Sequence, residues 1–266
     1  MGEPVLTVIA SLLDLQLYLI NILLEVFMFD SILPLLSGVI SFVFAFFVLK
    51  RYAERKGAYL LVWGIGTIFY GIGGLCEAFY GIFGWNPLVF RLWYLFGAIL
   101  VAAWLGQGTV YLLARRKWAN ILLVILILGS LFGAYKVFTA QLDPTLMGGA
   151  SHTGSELSGR AITSSGVRIL TPFFNMYGTL TLVGGAAYSA FIFWRKRVLL
   201  HRTIGNILIA VGAMLPAFGG FFSRLQFPGA LYIGEFLGIL LLFIGFLRST
   251  TPMRSESVAP VPAAVQ

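Results

Sequence analysis

The chain has 266 residues, of which 59% are hydrophobic and 11% charged, with a formal net charge of +8 and a mean hydropathy of +0.93. So little polar surface cannot cover a soluble globule, and a bilayer must do so instead. The positive charge does not describe a nucleic-acid surface, because the basic residues fall in short runs between apolar stretches, not on one solvated face.

The first 30 residues carry no lysine or arginine to fix their side of the membrane. Within them, Thr7, Ser11, Asp14, Tyr18, Asn21 and Glu25 recur at steps of four and three, which makes a thin acidic stripe on a helix. Two readings stand. Val5 to Phe27 is either an eighth span whose stripe faces the bundle or an interfacial helix in the outer leaflet. A cleaved signal peptide is not expected, since there is no positive n-region.

Seven spans of about 20 apolar residues follow. They run from Ser31 to Leu49, Ala58 to Tyr80, Leu88 to Leu113, Trp118 to Phe138, Leu170 to Trp194, Thr203 to Ser223 and Ala230 to Leu247. None has the strict alternation of a barrel strand. The expected class is therefore all-α, a polytopic membrane helix bundle of seven transmembrane helices plus an N-terminal membrane-associated or eighth helix. The chain divides into that N-terminal helix over residues 1–30, the bundle over 31–248 with a Gly-, Ser- and Thr-rich outer loop at 139–168, and a disordered cytoplasmic tail over 249–266.

The loops set the orientation. Lys50, Arg51, Arg55 and Lys56 follow the first clear span, Arg115, Arg116 and Lys117 the third, Arg195, Lys196, Arg197 and Arg202 the fifth, and Arg248 and Arg254 the seventh. This places 13 of the 18 basic residues on one side, which is the cytoplasmic side of a plasma (inner) membrane, with the C-terminus inside.

Ionisable residues at the edges of spans are the best candidates for chemistry in a membrane protein. Glu77 and Arg91 flank the tight turn Trp85-Asn86-Pro87, and Arg224 and Glu235 flank Phe227-Pro228-Gly229. If the four converge, both signs of charge line the outer mouth, a setting for a polar or zwitterionic ligand. The competing reading is pairing for structure alone. Gln107, between Gly106 and Gly108, is a deeper polar contact or a packing residue, and Trp93 is a cavity-lining or core aromatic. Two rows of small residues, Ala98-Ala102-Gly106 and Thr181-Gly185-Ser189, are expected to pack helices closely. Pro172 and Pro216 are expected to bend their helices or free carbonyls.

Other features are missing. All five lysines lie at span ends or in loops, so no retinal-binding lysine is available. His152 and His201 lie in loops, so no intramembrane haem or zinc ligands and no metal site are expected. Cys76, alone, supports no intrachain disulfide. There is no nucleophile elbow or phosphate loop, and no catalytic residue is assigned.

Three stretches resemble the seven-helix N-terminal sensor region of some bacterial histidine kinases. They are the basic, Gly-containing lead-in and aromatic helix from Arg55 to Glu77, FRLWYLFGAILVAAWLGQGTVYLL from Phe90 to Leu113, and HRTIGNILIAVGAMLPAFGGFF from His201 to Phe222. No dimerisation helix or kinase follows Leu247 in this sequence. The resemblance therefore implies a sensor-like module that binds a small molecule or lipid from the outer side and signals through a separate cytoplasmic or membrane partner. The alternatives are a small-solute transporter and a structural subunit of a membrane complex.

Overall fold

Long apolar stretches can satisfy their backbone groups in lipid only as helices or closed barrels, and the computed structural model folds all seven as helices. It describes residues 16, 28–147, 159–164, 166–196, 200–225, 227 and 229–250. The stripe at residues 5–27, His152, Glu156, Arg197 and the tail from residue 251 lie outside the described residues.

The helices are α1 (Asp30–Arg55), α2 (Ala58–Phe83), α3 (Pro87–Leu113), α4 (Arg116–Thr139), α5 (Val167–Arg195), α6 (Leu200–Arg224) and α7 (Ala230–Thr250). Each contains the corresponding expected span and extends it by up to six residues, because charged and polar residues continue the helix past the apolar run. The chain is thus a multi-pass membrane helix bundle. Many large apolar side chains point outward along the spans, among them Phe46, Leu131, Phe173 and Leu180, as lipid contact requires.

Six helices close a ring in the order α1, α2, α3, α5, α6, α7 and back to α1. The fourth span stands outside this ring and, among the described helices, packs mainly on α3 and α5. Its Ser130 hydroxyl accepts a hydrogen bond from Trp104 Nε1 at 3.1 Å, and its Ala119 carbonyl accepts one from Gln107 Nε2 at 2.8 Å.

The two small-residue rows face each other across the α3–α5 contact. A Cβ on Gly106 would lie 3.0 Å from the Gly178 backbone, and one on Gly185 would lie 2.4 Å from Thr109 Cγ2. Gly184, next in the chain, points into open space. Gly184→Ala is therefore expected to stabilise the protein by about 0.5 kcal/mol through helix propensity alone. A thermal-unfolding series in detergent checks it.

One end of the ring, hereafter the basic end, carries Lys50 to Lys56, Arg115 to Lys117 and Arg195 to Lys196. The half of the bundle nearest it is filled by aromatic packing. Phe44 stacks on Phe243 at 5.1 Å and meets Phe246 at 5.3 Å, while Trp63 lies 6.0 Å from Phe246.

The opposite, loop end carries the α2–α3, α6–α7 and α4–α5 connections. The described limbs of the α4–α5 loop are tied together by an antiparallel bridge between Leu142 and Ile162. They also pack down on the bundle, burying Ala161 and Ile162 against an aromatic cluster that includes Trp85, Phe90 and Trp93. Trp118 and Trp194 are exposed near helix ends, as an interfacial belt requires, but Trp85 is buried. Gly84, at φ 79°, turns the chain so that the Trp85 ring stacks on Tyr80 at 4.6 Å.

Candidate functional site

The loop half of the ring encloses a cavity of about 560 Å³, within the range of small-molecule sites. Five spans line it: α2, α3, α5, α6 and α7. Tyr70, Gly73, Gly74 and Glu77 recur at three- and four-residue steps and so form the inward face of α2. On α3 the wall begins at Trp93 and runs to Leu105, the depth at which Leu182 and Leu242 form the floor. Pro172 and Pro216 both lie inside continuous helices and both line the cavity.

Local structure on α3 is unusual. The helix starts at Pro87, with the Asn86 side chain accepting a hydrogen bond from the Val89 N–H at 2.9 Å, a regular N-cap. From Tyr94 to Leu100 it widens into a π-helical stretch, and the Val101 N–H reaches back five residues to the Phe96 carbonyl. The stretch turns Tyr94, Gly97 and Ala98 toward the cavity. It also lets a side chain reach the backbone: Asn175 Nδ2 donates to the Ala98 carbonyl at 3.2 Å.

The chemistry of the cavity centres on two carboxyls. Glu77 is 1% exposed, and its Oε1 accepts a hydrogen bond from Trp93 Nε1 at 2.7 Å. Its carboxyl also lies within hydrogen-bonding reach of Glu235, which is half-buried on α7. Tyr70 fixes this side of α7 by donating its hydroxyl to the Glu235 backbone carbonyl at 2.7 Å. Among the described residues, none donates an N–H or O–H to Glu77 Oε2. The mouth holds the opposite charge, since Arg168 and Arg224 line the same cavity and are exposed at the ends of α5 and α6.

Four of the six residues singled out in the sequence therefore share one cavity: Glu77, Trp93, Arg224 and Glu235. The contact between the glutamates crosses the ring interior, whereas the sequence pointed to pairs across the two tight turns.

Arg91 lies apart, in a surface depression with Pro87, Ala140 and Asp143, where its Nη2 donates to the Ala140 carbonyl at 2.8 Å. Asp143 is held below the usual carboxylate range by hydrogen bonds from the Thr145 hydroxyl at 2.6 Å and the Thr145 N–H at 2.9 Å.

Gln107 is fully buried outside the cavity lining. Its Oε1 accepts from the Tyr177 hydroxyl and its Nε2 donates to Ala119, so it joins α3, α5 and α4. Gln107→Leu would leave the part-buried Tyr177 hydroxyl without its acceptor and remove the tie to the Ala119 carbonyl, with an expected cost of about 1 to 2 kcal/mol. Because Gln107 stands outside the cavity, ligand affinity measured on the same variant should not change.

Tyr70, Tyr94, Thr171 and Asn175 line the cavity but were not singled out in the sequence. Asn175 was the detectable one, a lone amide in an apolar helix.

No known protein-family model, curated protein or solved structure matches the chain. The site is therefore argued from its own geometry.

Proposed function

We propose that the chain is a receptor-like module of the plasma (inner) membrane that binds a small molecule from the outer side. On this reading the loop end faces outward and the C-terminus lies in the cytoplasm, because the basic residues collect at the opposite end of the bundle. The observation that carries the reading is the one-ended cavity. It reaches from the arginines at its mouth to a floor at Leu105, Leu182 and Leu242, beyond which the aromatic packing of Phe44, Trp63 and Phe246 fills the ring.

A ligand held there touches α5, α6 and α7 near Pro172 and Pro216, where a proline leaves a carbonyl without its helical donor. Repacking of these helices would pass the bound state to a separate partner. The resemblance of residues 55–77, 90–113 and 201–222 to kinase-linked sensor regions supports a signalling role over simple storage.

The test is ligand identification on purified protein by native mass spectrometry and thermal-shift screening. A bound small molecule in the wild type, absent from Glu77→Gln, is the expected result. Equal binding by both proteins would refute the site.

One observation favours a second reading as a small-solute transporter. With α4 outside the ring, α1–α3 and α5–α7 form two three-helix units that run in the same direction and occupy opposite halves of the ring. Parallel repeats of this kind occur among transporters. Substrate flux in proteoliposomes separates the two readings, since a receptor binds without flux.

A further inference from the structure

We propose that the Glu77–Glu235 pair holds one proton when no ligand is bound and exchanges it for the ammonium group of a zwitterionic ligand whose acid group is held by Arg168 and Arg224. This deepens the receptor reading and rests on the cavity being a ligand site.

An ionised carboxylate only accepts, so a carboxyl–carboxyl contact needs a proton on one partner. Two like charges within hydrogen-bonding reach of each other are not both held. Among the described residues, the groups facing the pair give no cation at this depth: Asp30 comes from α1, Tyr70 and Cys76 from α2, and the Trp93 indole from α3. The cavity's two arginines stand at the exposed mouth.

Charge is thus sorted by depth, with acid below and base above. Between them the lining includes Ala217, Gly220 and Leu231, and below the glutamates Ala98 and Val101 continue the apolar wall to the floor. A simple cation would pass the arginines against repulsion, and a simple anion would find no partner at the bottom. A molecule with an ammonium at one end and an acid group at the other satisfies both. Glu77 Oε2, which has no N–H or O–H donor among the described residues, then accepts from the ammonium.

The exchange balances. The O–H bond of the protonated glutamate breaks, its proton leaves through the mouth to water, and the ammonium takes its place between two carboxylates. No electron transfer or co-reactant is involved.

Two measurements on the full chain in ester-free detergent test this. Infrared spectroscopy in H2O and D2O should show one neutral carboxylic-acid carbonyl band near neutral pH that is lost in both Glu77→Gln and Glu235→Gln. Its absence from the wild type, or its survival in both variants, would overturn the shared proton.

The second measurement is calorimetric titration in buffers of different ionisation enthalpy, with ω-amino carboxylates, alkylamines and alkanoates of matched length as probes. The amino carboxylates should bind most tightly and release one proton each. Arg224→Ala should weaken amino-carboxylate binding about tenfold and leave alkylamine binding unchanged or stronger. Tight binding without proton release would overturn the exchange and leave the cavity reading intact. No binding by any of the three probe series, with the acid band present, would overturn the zwitterion assignment while sparing the proton pair.

Discussion

Gly238→Leu is expected to destroy the folded bundle, with a cost of about 3 kcal/mol or more, because α6 and α7 touch backbone to backbone along their length. A Cβ on Gly238 would stand 2.8 Å from the Gly212 carbonyl oxygen, and one on Gly212 would stand 2.8 Å from the Gly238 oxygen and 2.9 Å from the Leu242 nitrogen. Farther along, Gly245 and Gly205 approach each other's backbone at 2.7 and 2.8 Å in the same sense. Backbone atoms cannot swing aside as the end of a side chain can, so the helices must separate along their shared face. Lipid tails are as apolar as leucine and give no hydrophobic compensation for the lost contact. The measurement is the yield of monodisperse protein after mild detergent extraction, with its thermal midpoint. Gly184→Ala, in open space, serves as the control that should gain stability. A well-folded Gly238→Leu protein would mean that α6 and α7 do not pack at this distance.

Glu77→Ala is expected to cost about 2 kcal/mol and to abolish ligand binding. The stability loss comes from the Trp93 indole, whose buried N–H would lose its acceptor. Removing a buried carboxyl offsets part of this by ending its desolvation, and the vacated space opens on the cavity and can admit water, so the cost stays below that of a sealed core void. Glu77→Gln keeps an oxygen for the indole and should cost less than about 1 kcal/mol while still losing the ligand. A double-mutant cycle with Trp93→Phe isolates the hydrogen bond. The pair should couple by about 1.5 kcal/mol or more, since one partner is a carboxyl. Strict additivity would mean that the two side chains do not interact in the folded protein.

The spans were legible because run length alone reports them, and the loop-end placement of Glu77, Arg224 and Glu235 followed from where those runs stop. Partner choice was not legible, because it depends on the ring order. Sequence proximity linked Glu77 to Arg91, yet Arg91 and Trp93 are two residues apart and so face directions roughly 200° apart on a helix. Once Trp93 points inward, Arg91 must point away. Of the two readings of Gln107, packing is the one the structure shows, for a different reason. Fourteen residues beyond Trp93, it would return to within roughly 40° of the same face on a regular α-helix. The π-helical stretch from Tyr94 to Leu100 takes up extra residues and turns Gln107 toward α4 and Tyr177. No residue pattern announces that stretch. The glycines at 205, 212 and 219 on α6 and at 238 and 245 on α7 recur every seven residues, a signal that was present but submerged among 31 glycines.

The central claim is a cavity open at the loop end, on the outer side, and sealed toward the cytoplasm. Single-cysteine accessibility in oriented membrane vesicles tests it most directly. Cys76 is the one native thiol and is buried, so Cys76→Ala provides the background. Ala217→Cys near the mouth and Ala213→Cys deeper on α6 should react with a membrane-impermeant thiol reagent added outside. Ala186→Cys, one turn beyond the floor residue Leu182 and 3% exposed, should not react. Failure of both α6 positions to label from outside, or their labelling only from the cytoplasmic side, would contradict the account.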